Sequence, residues 1–436
     1  MSIETLSIIV LFVSFMGLLA YGVPVAYAIG ISTTITLLMN ISYMPATTTV
    51  SQRMTTGIDN FALLAIPFFI LAGEIMNRGG IANRLIAFAK SLIGSFPGGM
   101  AYVNIISAML FGAISGSAIA AASAIGSTLT DKMEKDGYPR EFSAAVNISS
   151  STTGLLIPPS NVLIIFALAS GGTASVAALF IAGYIPGILV GIAIMTMVYF
   201  YAKRKGLPRE ERVGFKQLLL DFKNAILSLT LLVIVVGGIV AGVFTATEAA
   251  AIAVVYAILL GFINKELSLK DFRPIILRSA KTTAIVMFLI ATSMAMSWLF
   301  SFESIPQSLT GFLIEVVHNP FLVLLFINIT LLVVGTFMDM TPAVLIFTPI
   351  FLPVVMTMGV HPVQFGMIMV LNLCIGVCTP PVGTLLFVGS GVAKVPVTKV
   401  IKPLLPLLGV MVLVLLLLTY IPELSLWLPR VFGLID

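Results

Sequence analysis

The chain has 436 residues, of which 59% are hydrophobic and only 9% charged, with a mean hydropathy of +1.13. Those values exclude an ordinary soluble domain. They also speak against nucleic-acid binding, because the basic residues behind the net charge of +5 are scattered between apolar runs and form no patch.

A helix that spans a bilayer needs about 20 apolar residues, and runs of that kind recur from Ile3 to Tyr420. The first, Ile3 to Ala20, carries Glu4 where a signal peptide would carry basic residues, and it continues directly into a second run, so it reads as a retained span. Val23 to Met39 and Phe61 to Asn77 follow. The stretch from Gly98 to Thr130 is apolar around a small polar centre, Gly112-Ala113-Ile114-Ser115-Gly116-Ser117. Arg78, Arg84 and Lys90 precede it, and Lys132, Lys135 and Arg140 follow. Basic flanks at both ends predict a re-entrant hairpin, about residues 98–130, entered from the cytoplasm.

The next apolar segment, about 141–170, contains Pro158-Pro159. Proline lacks the helix donor and clashes with the preceding turn, so this span must unwind. Unwound backbone is tolerated at membrane depth only where it lines a cavity or is buried in protein. Ser175 to Ala202 then leads into a loop holding Lys203, Arg204, Lys205, Arg209, Arg212, Lys216 and Lys223 against three acids, which places that loop in the cytoplasm. From there Ala225 to Val243 crosses outward. Thr247 to Ile263 returns and delivers Lys265, Lys270, Arg273, Arg278 and Lys281 to the inside, and Thr283 to Ser301 crosses outward again. The loop 302–318 contains Glu303 and Glu315 but no Lys or Arg, as an external loop should.

A second hairpin is predicted over about 319–359, entered from outside and interrupted at Gly335-Thr336-Phe337-Met338-Asp339-Met340-Thr341-Pro342. Its two legs, of about 15 residues, would each be roughly 22 Å long. A second broken span, about 363–393, carries Pro380-Pro381 and brings Lys394, Lys399 and Lys402 inside. The last span, Pro403 to Ile421, ends outside.

The two halves match. Gly154 with Gly376, Pro158 with Pro380, Pro159 with Pro381 and Leu163 with Leu385 share an offset of 222 residues; Gly22-Val23 with Gly242-Val243 and Pro186 with Pro406 share 220, and Gly112 with Gly335 is 223. The predicted fold is therefore an all-α polytopic membrane protein with two inverted-topology repeats, 1–220 and 221–436, each holding a re-entrant helical hairpin and a broken transmembrane helix. Matched breaks in opposed halves are how a mid-membrane transport site is built.

Four unwound elements result, the two hairpin tips and the breaks at Thr153 to Asn161 and Gly376 to Thr384. Half-helix ends offer carbonyls to a cation and amides to an anion. Ser and Thr hydroxyls add hard oxygen, which suits Na⁺. Asp339 is the one ionisable residue between His318 and His361, and an acid at the bilayer centre needs a partner. It reads as an ion ligand or as a cap on the hairpin-tip amides, and these two roles are compatible. Glu248 in Thr245-Ala246-Thr247-Glu248 has the pattern of a capping box. Glu74 is expected to pair with Arg78 at the membrane surface. His318 and His361 are expected at the outer surface, and Cys374 and Cys378, with no histidine or carboxylate near them in sequence, are expected to be packing residues. The sequence has no phosphate loop, no metal-ligand cluster and no nucleophile paired with a base, so a non-enzymatic protein driven by an ion gradient or by another subunit is expected.

Several stretches resemble the large membrane subunit of tripartite ATP-independent periplasmic (TRAP) transporters. They are Phe69-Ile70-Leu71-Ala72-Gly73-Glu74, Phe111-Gly112-Ala113-Ile114-Ser115-Gly116-Ser117-Ala118, Ile157-Pro158-Pro159-Ser160, Ala182-Gly183-Tyr184-Ile185-Pro186-Gly187, Thr245 to Ala251 and Thr379-Pro380-Pro381-Val382-Gly383. One departure is Ala246, where the family's pattern has proline. The resemblance implies Na⁺-coupled import of an organic acid, of the C4-dicarboxylate or sialic acid type, through the bacterial inner membrane by an elevator motion. It also implies a small four-helix membrane subunit and a periplasmic substrate-binding protein as partners.

By position, one Na⁺ is assigned to Ser115, Ser117 and Gly154, and a second to Gly335, Asp339, Gly376 and Thr379. Substrate is assigned to Ser160, Asn161, Thr341 and Thr384, and the helix-breaking role to Pro158, Pro159, Pro380 and Pro381. Two other readings fit parts of the pattern: an ion channel, which needs a continuous pore lined by polar rings, and a stand-alone ion-coupled carboxylate permease that needs no partner.

Overall fold

A computed structural model describes residues 3–78, 80–209, 213–308, 311 and 319–435. Arg212, Glu315 and His318, which entered the charge argument above, lie outside the described residues. Every described element is helical. Three helices open the chain, α1 Ile3–Ala20, α2 Val25–Asn40 and α3 Tyr43–Ile58, and α4 Ala65–Arg78 and α5 Ile81–Ile93 follow. The first hairpin is α6 Gly99–Ser115 with α7 Ala118–Lys135, and the first broken span is α8 Arg140–Ser151, α9 Thr153–Leu156 and α10 Asn161–Ala169. The long helices α11 Val176–Lys205, α12 Phe215–Val240, α13 Ala246–Ile263 and α14 Leu269–Phe302 lead to the second hairpin, α15 Pro320–Phe337 with α16 Met340–Thr357. The second broken span is α17 Pro362–Gly376 with α18 Thr384–Ala393, and α19 Val397–Tyr420 and α20 Glu423–Val431 close the chain.

Eight of the described helices are long and apolar enough to cross a membrane, or nine if α8 to α10, bent by 50°, counts as one span. The hairpin legs have 17 and 18 residues in the first half and 18 and 18 in the second, where about 15 were expected for the second pair. Three helices escaped the apolar-run reading. In α3 threonines interrupt every apolar run, and α5 and α20 are one-faced helices too short and too charged to register as spans. Two further helices begin earlier than the apolar runs do, α12 at Phe215 and α14 at Leu269. In α14 a capping box between Ser268 and Asp271 starts the helix well before the apolar stretch begins.

Side-chain contacts sort the helix ends into two groups that agree with the charge pattern. At one end Arg84 binds Glu266 at 2.5 Å, Arg78 binds Asp271 at 2.7 Å, and the Arg140 guanidinium donates to the Ala393 carbonyl at 2.6 Å. All of these residues belong to segments expected in the cytoplasm. At the other end Asn40 donates to Ser7 and to the buried Glu303, Thr247 donates to the Phe61 carbonyl, and the Tyr420 hydroxyl donates to the Phe321 carbonyl. All of these belong to segments expected outside.

Contacts made in one half recur in the other. The turns after α1 and α12 both end on a left-handed glycine, Gly22 (φ +79°) and Gly242 (φ +68°). In each, the amide of the following valine closes the turn on the carbonyl five residues back, a geometry that glycine adopts without the steric cost a side chain would bring. On the hairpins, Ser150 of α8 donates to Asn104 of α6 at 3.5 Å, and Asn372 of α17 donates to Asn328 of α15 at 2.7 Å. Both Pro-Pro bonds are cis. Cys374 Sγ lies 3.6 Å from the carbonyl oxygen of Thr152, the residue 222 positions earlier. Both cysteines are fully buried among apolar helices, in keeping with a packing role.

Candidate functional site

Each hairpin is held to its broken helix by glycine meeting glycine. A side chain on Gly154 would put its first carbon 2.3 Å from the Cα of Gly112, and one on Gly376 would lie 2.5 Å from the Cα of Gly335. Backbone therefore packs directly on backbone, as small residues permit between membrane helices. Three of the predicted ion-site residues, Gly154, Gly335 and Gly376, thus stand at helix crossings and off the cavity wall.

These crossings bring the tips to the breaks. At the first tip Gly116 is left-handed (φ +62°), and a Cβ on it would lie 3.3 Å from the Pro159 carbonyl and 3.5 Å from Asn161 Nδ2. Ser117 caps α7 by accepting from the Ala120 amide at 3.2 Å. At the second tip the Gly383 amide donates to the Thr336 carbonyl at 3.1 Å, while the Leu385 and Leu386 amides converge on the Val377 carbonyl. Thr384 Oγ1 donates to Asp339 Oδ1 at 3.5 Å. Asp339 occupies the cap position of α16, yet its side chain makes no capping hydrogen bond. Its carboxylate faces a cavity.

That cavity, about 250 Å³, lies where both tips and both breaks converge. Six predicted residues line it: Ser115, Ser117 and Asn161 from the first half, and Asp339, Thr341 and Thr384 from the second. Ser160 lies just behind the wall, fully buried, with its hydroxyl unpartnered, and Asn161 Oδ1 is likewise unpartnered. A ligand that reached these two atoms would satisfy groups whose isolation is costly. Thr379 turns away, its hydroxyl donating to the Ile375 carbonyl at 2.7 Å. Pro158, Pro159, Pro380 and Pro381 sit in the unwound segments between α9 and α10 and between α17 and α18, as expected.

The opposite wall was not anticipated. It comes from α4 and α14, through Ile66, Ile70, Glu74, Asn77, Thr282 and Val286. Glu74 was expected to pair with Arg78, but Arg78 reaches across to Asp271, and the Glu74 carboxylate lines the cavity instead. Asp271 is already held at the start of α14 by Ser268, so it offers Arg78 a carboxylate fixed in place. A sequence signal for Glu74 was available in its motif, Phe69 to Glu74, since an acid on an otherwise apolar helix needs a reason to be there. Among the described residues the cavity therefore carries two carboxylates and no cationic side chain, which favours a bound cation. For a Na⁺-coupled transporter, Glu74→Gln is expected to weaken the apparent Na⁺ affinity of uptake about 3- to 10-fold at unchanged thermal stability, whereas Arg78→Ala, at a partly exposed pair away from the cavity, changes it less than twofold. A Na⁺ titration of reconstituted uptake decides this, and an unchanged midpoint for Glu74→Gln removes that residue from the site.

Among the other candidates, Glu248 forms the expected capping box with Thr245, which lets α13 start at Ala246 without the family's proline. His361 is more than a solvated surface group, because its Nδ1 accepts from the Val363 amide at 3.1 Å and caps α17. Among the described residues no group of three or more His, Cys, Asp or Glu could hold a metal ion.

Residues 12–424 match the family described as "Tripartite ATP-independent periplasmic transporter, DctM component". The chain is 51% identical over 426 residues to the uncharacterized protein YgiK of Salmonella typhimurium, covering 98% of both chains. It is 37% identical to the C4-dicarboxylate TRAP transporter large permease protein DctM of Rhodobacter capsulatus, covering 98% of this chain and 100% of that one. Among solved structures, the YdaH transporter of Alcanivorax borkumensis superposes with a TM-score of 0.62 over 89% of each chain at 14% identity, a likeness of fold alone. With a family match across nearly its whole length and at least eight apolar spans, the chain belongs to the DctM component family of TRAP transporters, as a multi-pass protein of the inner membrane.

Proposed function

We propose that this subunit imports an organic acid together with Na⁺, using the cavity between the hairpin tips and the broken helices as its site. The observation that carries this reading is the convergence of Ser115, Ser117, Asn161, Asp339, Thr341 and Thr384 on one space from opposite halves of the chain. Na⁺ takes hydroxyl, carboxylate and carbonyl oxygens. The substrate carboxylate is neutralised by that cation and by the amide ends of α10 and α18. Asn161 Oδ1 and the Ser160 hydroxyl offer hydrogen bonds to the polar groups of the acid. Coupling follows, because in a pocket with two carboxylates and no cationic side chain the anion is poorly compensated until the cation is bound.

The two halves are proposed to be inverted repeats, supported by the recurring glycine crossings and by the contact between Cys374 and Thr152. The hairpins and broken helices are proposed to move as one body against α4, α13 and α14, in an elevator stroke that carries the cavity past Glu74. The substrate is proposed to be an acid of the C4-dicarboxylate or sialic acid type. A small membrane subunit and a periplasmic binding protein are proposed as partners, on the strength of the family. The competing channel reading needs a continuous pore lined by polar rings, and a single cavity walled by two hairpin tips gives it no support.

The test is uptake of labelled succinate and sialic acid into proteoliposomes that hold this chain with its membrane partner, with the periplasmic protein supplied outside. An inward Na⁺ gradient is expected to drive accumulation of one acid at least tenfold above equilibration, and collapsing the gradient to abolish it. Accumulation unaffected by loss of the gradient would overturn Na⁺ coupling, and full activity without either partner would favour a stand-alone permease.

A further inference from the structure

A second cavity, about 330 Å³, shares no lining residue with the transport site. It is framed by the start of α8, the end of α11 and the start of α19, and three lysines, Lys205, Lys399 and Lys402, stand on it against a single acid, Glu141. None of the three ammonium groups is engaged by a carboxylate within ion-pair distance among the described residues, and all three are exposed. Below the lysines the wall turns apolar. Phe142 and Tyr201 stack with ring centroids 3.9 Å apart and planes 9° from parallel, beside Met197 and Leu407.

Two prolines complete the chemistry. Pro403 and Pro406 lie inside α19 and on the cavity wall. Having no N–H, they leave the carbonyls of Lys399 and Lys402 without their usual helical donors. Charged donors for a phosphate thus stand beside carbonyls that need hydroxyl donors, over an apolar slot lined by Phe142, Tyr201, Met197 and Leu407.

We propose that this cavity binds an anionic glycerophospholipid of the cytoplasmic leaflet. The phosphate lies on Lys205, Lys399 and Lys402, the headgroup glycerol hydroxyls donate to the Lys399 and Lys402 carbonyls, and an acyl chain lies along Phe142, Tyr201, Met197 and Leu407. Basic pockets between membrane helices on the cytoplasmic side favour such headgroups, and that side is where the charge pattern of α11 and α19 places this one. Glu141 limits the site to a single phosphate by opposing further negative charge.

The test uses the purified full-length chain in nanodiscs of phosphatidylcholine with graded phosphatidylglycerol, with bound lipid counted by native mass spectrometry after release into detergent. The wild-type chain is expected to retain phosphatidylglycerol in preference to phosphatidylcholine. The triple variant Lys205→Gln, Lys399→Gln, Lys402→Gln is expected to retain roughly 100-fold less, three lysines each contributing about fivefold. The triple Lys→Arg variant is expected to keep the preference, and Lys203→Gln, Arg204→Gln, Lys270→Gln, which removes charge outside the cavity, to leave it within threefold. Equal losses in the two Gln variants would overturn the site in favour of general surface attraction. Saturable displacement by millimolar inorganic phosphate or glycerol phosphate, with no dependence on the acyl chain, would overturn the lipid as its source.

Discussion

Gly376→Ala is expected to abolish uptake, lowering the rate at least 100-fold, while Gly237→Ala leaves it unchanged. The added methyl would sit 2.5 Å from the Cα of Gly335 and 2.6 Å from its carbonyl carbon, both backbone atoms that no rotamer change can move aside. Relief requires α15 and α17 to part by about 1 Å, and displacements of that size disable a binding constellation. The cost in stability is about 1–3 kcal/mol, the usual range for overpacking. Gly154→Ala, 2.3 Å from Gly112, is expected to behave in the same way, because the same crossing recurs in the first half. Gly237 has open space around it within a helix, where alanine is the better helix former. The check is uptake together with the thermal midpoint of the purified protein; wild-type uptake by Gly376→Ala would show that tip and break need not be in register.

Asp339→Asn is expected to retain the fold and lose the Na⁺ dependence. Asparagine has the same shape and is an equally good residue at a helix start, so the cap position of α16 is preserved and only the charge is removed. A unit charge pair at 4 Å and an effective dielectric of about 20 is worth about 4 kcal/mol. With part of that offset by desolvation, roughly 100-fold weaker Na⁺ binding is expected. Thr384→Val, which removes the hydroxyl 3.5 Å from the carboxylate, is expected to cost only about tenfold, since a single long hydrogen bond is at stake and the charge remains. Uptake measured from low to high Na⁺ separates the two roles. If Asp339→Asn keeps the wild-type Na⁺ curve, Asp339 serves as a helix-end residue and the cation lies elsewhere.

These two variants probe different layers of one arrangement. The glycine crossings set where the tips stand, and the polar groups on the tips act only from that position. Glu74 adds a third layer from the opposite wall, and it does not take the partner that local spacing offers. Four residues of separation on a helix made Arg78 its natural partner, but Asp271, 193 positions later in the chain, takes that guanidinium. A competition between a local and a distant acid is decided by which one the fold holds still, and sequence spacing carries no information about that.

The broken spans and the hairpins were legible because their signals are local and strong. A diproline cannot continue a helix, and basic loops lie on the cytoplasmic side; both statements hold whatever the rest of the chain does. The breaks therefore fall within a few residues of where the prolines required them, and the tips at Gly116 and at Met338-Asp339 lie inside the polar centres. Helices such as α3 were not legible, because a threonine-rich segment has no apolar run and becomes helical by packing on α14, with Arg53 5.2 Å over the Trp298 ring and Gly57 against Met294. By itself the sequence determined the membrane class and which residue types stand at the interruptions, since each follows from short-range sterics or from the energy of charge in a bilayer; the duplication and the sidedness are proposals drawn from the same signals. Only the tertiary structure decided which of those residues share a cavity, which glycines are contacts and not ligands, and that α4 and α14 supply the facing wall. Those outcomes depend on helix crossings between segments some 40 to 270 residues apart.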